Sequence, residues 1–254
     1  MTKSTSPKKP SGFIFYRGLS RLTGAPIIGV AITKSSNVKT GNMVQTYILV
    51  DNGMSPVENA KSLADEAICG ICPHRRGLGG SCYVNLGQGA RAVADGVVRG
   101  IYPDATQSPA IHAQMIQAIA QRMVRFGTYG DPAAIPSHLW DEMKAVAQGT
   151  TGYTHQWTNG KADGFMHLVM ASADNEAARI QAKKAGYRTF RIRPASEPVL
   201  KGEFICPASS EAGKVKTCAQ CGACDGGVDS RRADPVIIVH GSLASRFTIA
   251  QTAH

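Results

Sequence analysis

The chain has 254 residues, 43% of them hydrophobic, enough to bury a core in one large domain or two small ones and too apolar for disorder over most of its length. Lys plus Arg number 28 against 18 for Asp plus Glu, a formal charge of +10 that favours a polyanionic partner, while 6% aromatics argue against a surface built on base stacking. No apolar run approaches the roughly 18 residues that cross a bilayer, and the start (MTKSTSPKKPSG) lacks a signal-peptide stretch, so we expect a soluble cytoplasmic protein with no membrane partner.

Residues 1–12, with Lys3, Lys8 and Lys9, read as a disordered basic tail. The β-branched runs 26–33 and 43–50, separated by the turn Lys39-Thr40-Gly41-Asn42, predict a hairpin. From Asn85 the pattern is helical: Ala90, Val93, Ala94, Val97 and Val98 recur at helical spacing up to Gly100, and 111–122 repeats it. Strands are then predicted at 124–130, 152–157, 165–171 and 187–193, with helices at 137–148 and 175–185. Strands alternating with helices of about a dozen residues imply parallel βαβ units, so the expected fold class is α/β, with 13–205 as the main domain. The segment 206–230 has few large apolar side chains and needs a metal or a neighbouring surface to order it. A final core strand at 235–240 and a frayed tail complete residues 231–254.

The seven cysteines fall into two groups. In a reducing compartment, Cys-x-x-Cys spacing reads first as metal ligation. Cys218, Cys221 and Cys224 follow a doubled Cys-x-x-Cys pattern, and Cys206 supplies a fourth thiolate, a set that suits either tetrahedral Zn2+ or a [4Fe-4S] cluster. In the other group, Cys69, Cys72 and Cys82 with His74 would close a zinc site. The three thiolates without His74 would leave one iron of a four-iron cluster open to an outside ligand.

The order Cys-x-x-Cys-Pro, Ser81-Cys82-Tyr83-Val84-Asn85, Phe126-Gly127-Thr128-Tyr129-Gly130-Asp131-Pro132 and Gly152-Tyr153-Thr154-His155-Gln156-Trp157 resembles a group of uncharacterised cysteine-rich proteins encoded by bacteriophages. The cysteine stretch at 206–226 belongs to the same resemblance, which brings no activity and would place the protein in the host cytoplasm. A looser resemblance is to phage-associated radical S-adenosylmethionine proteins, in which a cysteine cluster ending in Cys-Tyr precedes the first helix and barrel strands follow, up to a Glu-Pro-Leu stretch. Here Cys82-Tyr83 precedes the helix at Ala90, and Ser196-Glu197-Pro198-Val199-Leu200 follows the later strands. That resemblance implies a partial (β/α) barrel, S-adenosylmethionine as cofactor and Glu197 among the cofactor-binding residues. The spacing departs from the family's Cys-x3-Cys-x2-Cys. At Cys-x2-Cys-x9-Cys, the loop through Gly77 to Gly80 must fold back for Cys82 to reach Cys69 and Cys72.

Asp131, at a predicted strand end, is either a catalytic group or the cap of an Asp-Pro turn. His155 is either catalytic or a hydrogen-bonded core histidine. Arg191 and Arg193 share one face of a strand that either presents guanidinium groups to phosphate or is a solvated edge, Glu197 just after it could pair with either, and Arg75, Arg76 and Arg91 put charge beside the first cysteine group, compatible with nucleic-acid binding. The glycines at 77–80 and 87–89 are not followed by the Lys-Ser/Thr of a P-loop, and no Gly-x-Ser-x-Gly elbow is present. The expected protein is therefore a cysteine-ligated metalloprotein, an iron-sulfur redox or radical-type enzyme acting on a nucleic acid or nucleotide. Its rival is a zinc-stabilised nucleic-acid-binding or replication protein without enzymatic activity. Oligomeric state is open.

Overall fold

A computed structural model describes residues 9–35, 37–227 and 232–247. Most of the basic tail and the chain beyond Phe247 lie outside the described residues. Among the described residues, nine strands form one sheet in the order β1-β2-β3-β4-β5-β6-β7-β9-β8: β1 (Gly12–Leu19), β2 (Pro26–Ile32), β3 (Val44–Val50), β4 (Met123–Tyr129), β5 (Gly149–Thr154), β6 (Met170–Ala173), β7 (Thr189–Arg193), β8 (Glu203–Ile205) and β9 (Asp234–Ile238). The first three are antiparallel, with β2 and β3 making the expected hairpin, and every pairing from β3 onward is parallel. The outer edge of β1 is covered where Ile14 N–H donates to Pro103 O at 3.0 Å. No pairing among the described residues joins β1 to β8, so the sheet is open.

The helices are α1 (Pro56–Lys61), α2 (Glu66–Cys69), α3 (Arg91–Val98), α4 (Pro109–Ile119), α5 (Ser137–Val146), α6 (Glu176–Lys184) and α7 (Cys218–Cys221). From β3 to β7 the strands are neighbours in chain order, and right-handed crossovers that always step the same way leave their helices on one face. Register agrees: Phe126 pairs with Gly152, Thr154 with Ala171, Ala171 with Thr189, and Arg191 with Val236, so these residues share a face. On that face the Trp140 ring of α5 packs 4.8 Å from Phe126, and Ala182 of α6 packs on Ala171. The alternate residues, Arg125, Thr151, Tyr153, Ser172, Phe190, Ile192 and Ile237, point to the opposite face and line a cavity.

Three expectations are corrected. Residues 165–169 are a buried turn rather than the start of a strand, with Leu168 and Val169 N–H both donating to Phe165 O, and β6 begins only at Met170. Gln156 and Trp157 lie in a 3-10 turn, not in β5. The helix after Asn85 opens with a π turn at Leu86–Ala90 before α3. Strands β1 and β8 and helices α1, α2 and α7 are additions to the predicted elements.

Candidate functional site

The first cysteine group is built by a loop that folds back on itself. Cys69 ends α2, Gly70 reverses the chain at φ +52°, and Cys82 N–H donates to His74 O at 2.9 Å. The return needs Gly80, because a Cβ there would sit 2.4 Å from the His74 carbonyl carbon. Arg75 pins the loop from beneath, with Nη2 donating to Asp65 Oδ1 at 2.7 Å and Nη1 to Gly70 O at 3.2 Å. Burial, then the neighbouring thiols Cys72 and Cys82, push the Cys69 thiol well up, and burial pushes Cys82 up to about 11. Both are neutral without a metal.

The second group is ordered by the surfaces around it. Cys218 N–H donates to Lys39 O and Ala219 N–H to Thr40 O, both at 3.1 Å, so the turn of the predicted hairpin holds α7. A capping box from Thr217 and Gln220 starts this helix, and Gly222 ends it at φ +61°. Cys206 N–H donates to Val236 O at 2.8 Å, and Cys224 O accepts from Gly152 N–H at 3.1 Å. Burial raises the Cys206 thiol and pushes Cys224 up to about 12. None of the seven cysteines is in a disulfide, and all seven line one cavity of about 220 Å³ on the sheet face opposite α5 and α6.

Between the two groups, His74, His155 and Asp174 bring two imidazoles and a carboxylate together. His74 Nε2 lies 2.9 Å from Asp174 Oδ1, and His155 Nε2 lies 3.5 Å from Oδ2. The two rings meet edge to face at 5.3 Å, Ser81 Oγ sits 2.8 Å from His74 Nδ1, and Phe247 stacks on His74 at 5.4 Å. Burial alone would depress the His155 imidazolium, yet the Cys72 and Asp174 charges beside it raise its pKa well above the usual histidine range. Burial opposes ionisation of Asp174 too, and the two histidines overrule it and hold the carboxyl far below its ordinary value. Among the described residues, this is the one set of three or more His, Cys, Asp or Glu ligand atoms that all lie within 4.8 Å of one another. His74 thus faces Asp174 and Ser81 and forms no such set with Cys69, Cys72 and Cys82.

Asp131 lies beneath this cluster. Its carboxylate accepts from Ala133 N–H, Thr154 Oγ1 and His155 N–H at 2.9 to 3.0 Å, and its own N–H donates to Ile68 O at 2.6 Å. It caps the Asp-Pro turn and ties α2, with Cys69, to the residue that presents His155. The arginines expected to face nucleic acid are engaged elsewhere. Arg191 and Arg193 are buried on the helix face: Arg191 pairs with Glu203 at 2.8 Å and Glu197 at 2.9 Å, and Arg193 pairs with Glu211. Glu197 is therefore an ion-pair partner on the face opposite the cavity. Arg75 is buried against Asp65, Arg76 donates to Val84 O at 2.5 Å, and Arg91 is exposed but paired with Asp95 of its own helix at 2.8 Å.

Asp174 and Arg125 escaped the sequence reading. The signals were present: Asp174 stands three residues beyond the strand predicted at 165–171, near where open α/β sheets keep functional groups, and Arg125 is a lone charge inside a predicted buried strand. No family model, curated protein or solved structure matches the chain.

Proposed function

We propose that this chain is an iron-sulfur metalloenzyme of redox or radical type, with its chemistry in the cavity onto which both cysteine groups open. The observation that carries this reading is the placement of all seven thiols on the wall of one cavity, which covers one face of the parallel strands and reaches their C-terminal ends at Gly130, His155 and Val239. The finer architecture in this reading is a partial (β/α) barrel, helices outside and cavity inside, with 206–230 as a metal-binding insertion. Tetrahedral zinc, about 2.3 Å from each sulfur, draws its thiolates to about 3.8 Å from one another. No three of these thiols lie mutually within 4.8 Å, which fits zinc poorly. A four-iron cube gives each thiolate its own iron and takes a wider set. Cys69, Cys72 and Cys82 would hold such a cluster, with S-adenosylmethionine as the outside ligand on the open iron, and Cys206, Cys218, Cys221 and Cys224 would hold a second metal. When bound, the cluster supplies single electrons to that ligand.

A second reading is favoured by the 4.8 Å grouping: His74, His155 and Asp174 bind one divalent ion. Two imidazoles and a carboxylate suit iron(II) or zinc, and Ser81 fixes the second ring nitrogen of His74 as metal-bound imidazoles require. Anaerobic purification with metal analysis and visible spectroscopy separates the readings. The cluster reading expects a brown protein with at least about four irons per chain, lost in Cys72→Ser. A colourless protein carrying one ion that survives Cys72→Ser but not His155→Ala supports the second. A colourless protein with about two zinc ions, both held by cysteine, overturns both in favour of the zinc-stabilised binding protein.

A further inference from the structure

Among the described residues six arginines are buried: Arg75, Arg125, Arg179, Arg188, Arg191 and Arg193. Five carry a carboxylate, Arg75 on Asp65, Arg179 and Arg191 on Glu203, Arg188 on Asp234 and Arg193 on Glu211. Arg125, only 7% exposed and on the cavity face of β4, forms no ion pair among the described residues. Its Nη2 donates to Tyr83 Oη at 3.0 Å, its guanidinium carbon lies 5.4 Å from the centre of the Tyr153 ring, and its Nε is buried without a hydrogen-bond partner. A phenol and a ring face orient a guanidinium but do not supply a counter-charge. A buried cation left unpaired lowers stability. Its planar fork is suited to two oxygens of a carboxylate or phosphate.

The walls beside Arg125 say what the rest of the ligand looks like. Tyr153 packs 4.6 Å from Phe190 and Tyr83 packs 5.4 Å from His240, with Ile192 and Ile237 completing an apolar side. Lys39, half-buried, adds a second cation with its Nζ 3.0 Å from His240 Nε2 and 5.9 Å from the Tyr83 ring. We infer that Arg125 anchors a small-molecule site in this cavity: it binds the phosphate or carboxylate of a ligand whose planar ring lies against the aromatic side chains. This rests on the reading of the cavity as the active site and names the class of its substrate.

The test uses the full chain prepared free of metal, so that it does not depend on whether iron loads. Binding of phenyl phosphate, benzoate and neutral benzyl alcohol is measured by calorimetry and ligand-observed NMR on the wild type, Arg125→Met and Arg125→Lys. The two anions should bind the wild type at least tenfold better than the alcohol, lose at least tenfold in Arg125→Met, and recover part of it in Arg125→Lys. Removing an uncompensated charge should leave the melting temperature of Arg125→Met equal to the wild type or higher by about 2 to 4 °C, whereas Arg191→Met should fall. Equal binding to the wild type and Arg125→Met, no preference for the anions, or a lower melting temperature for Arg125→Met overturns the site. Anion binding that fails while iron still loads leaves the metal reading standing and makes Arg125 the counter-ion of the neighbouring Cys218 and Cys224. Anion binding that persists in a chain that takes up no iron supports the site and removes the cluster.

Discussion

The Glu203 side chain has no exposure to solvent and accepts from Arg191 Nε and Nη2, both at 2.8 Å, from Leu200 N–H at 2.9 Å, and lies 3.2 Å from Arg179 Nε. Burial by itself would raise its carboxyl, and these donors overrule it and hold it below its ordinary value of 4.5. A carboxyl depressed on folding contributes stability that is complete above its unfolded value and is lost as pH falls through the folded one. The melting temperature should therefore drop on acidification below about pH 4.5, and Glu203→Gln should flatten that drop while costing about 3 to 5 kcal/mol at neutral pH, because it strands buried guanidinium charge. Urea titrations at pH 3 to 7 check both halves. Asp131, on the other face, runs the opposite way, since burial raises its carboxyl despite its donors. With its oxygens taken by Ala133, Thr154 and His155, Asp131→Asn sets an amide donor against donors and should cost about 2 to 3 kcal/mol. A variant that kept its stability and lost turnover would instead make Asp131 a catalytic group.

At the scale of elements, the loop 70–82 decides whether three cysteines can serve one centre. The loop turns back because Gly80 lies against the His74 backbone and Gly77 against Ala60 O, where a Cβ would come within 2.0 Å. Gly80→Ala must shift backbone and carry Cys82 away. Iron uptake should fall at least about fivefold, with a loss of about 1 to 3 kcal/mol of stability. Gly79→Ala, at φ +78° with nothing within 4 Å, should cost about 1 kcal/mol and leave uptake intact, so that iron content against melting temperature for the pair separates placement from folding. The need for a fold-back was legible from the spacing, and the hairpin and the parallel βαβ units were legible from periodicity, since each is a local pattern. The run 165–171 misled because an apolar stretch signals burial, which a turn under the sheet satisfies as well as a strand. What brings His74, His155 and Asp174 together is the register of β5 with β6 and the return of the cysteine loop, contacts across about 100 residues that no local pattern records. Arg191 and Arg193 were assigned to a phosphate-binding face because an alternating pair of charges looks the same whether solvent or buried glutamates receive it.

For the whole molecule, a formal charge of +10 reads as a nucleic-acid footprint only if the cations are free to reach phosphate. Of the five arginines whose spacing suggests such contacts, three are buried, Arg75, Arg191 and Arg193, and the carboxylates on them take up their donors. Arg91 is tied to Asp95, and Arg76 donates inward to Val84. Of the cations singled out in the sequence, Lys3, Lys8 and Lys9 of the basic tail are left to track a backbone. Each neutralised phosphate contributes about −0.9 to the slope of log affinity against log salt, so three lysines give about −2.7. Over a fourfold rise in salt, from about 50 to 200 mM, affinity for generic duplex DNA should then fall by no more than about 40-fold, where six to ten phosphate contacts would give about 10³ to 10⁵. Fluorescence anisotropy with a labelled duplex reads the slope directly, and deleting residues 1–9 should flatten it nearly to zero. A steep slope that survives the deletion would mean that the folded surface carries a phosphate track of its own, and the zinc-stabilised nucleic-acid-binding protein would become the better account. A shallow one leaves the excess charge with little role in DNA binding, and with Arg125 inside the cavity the anion that matters is a small one.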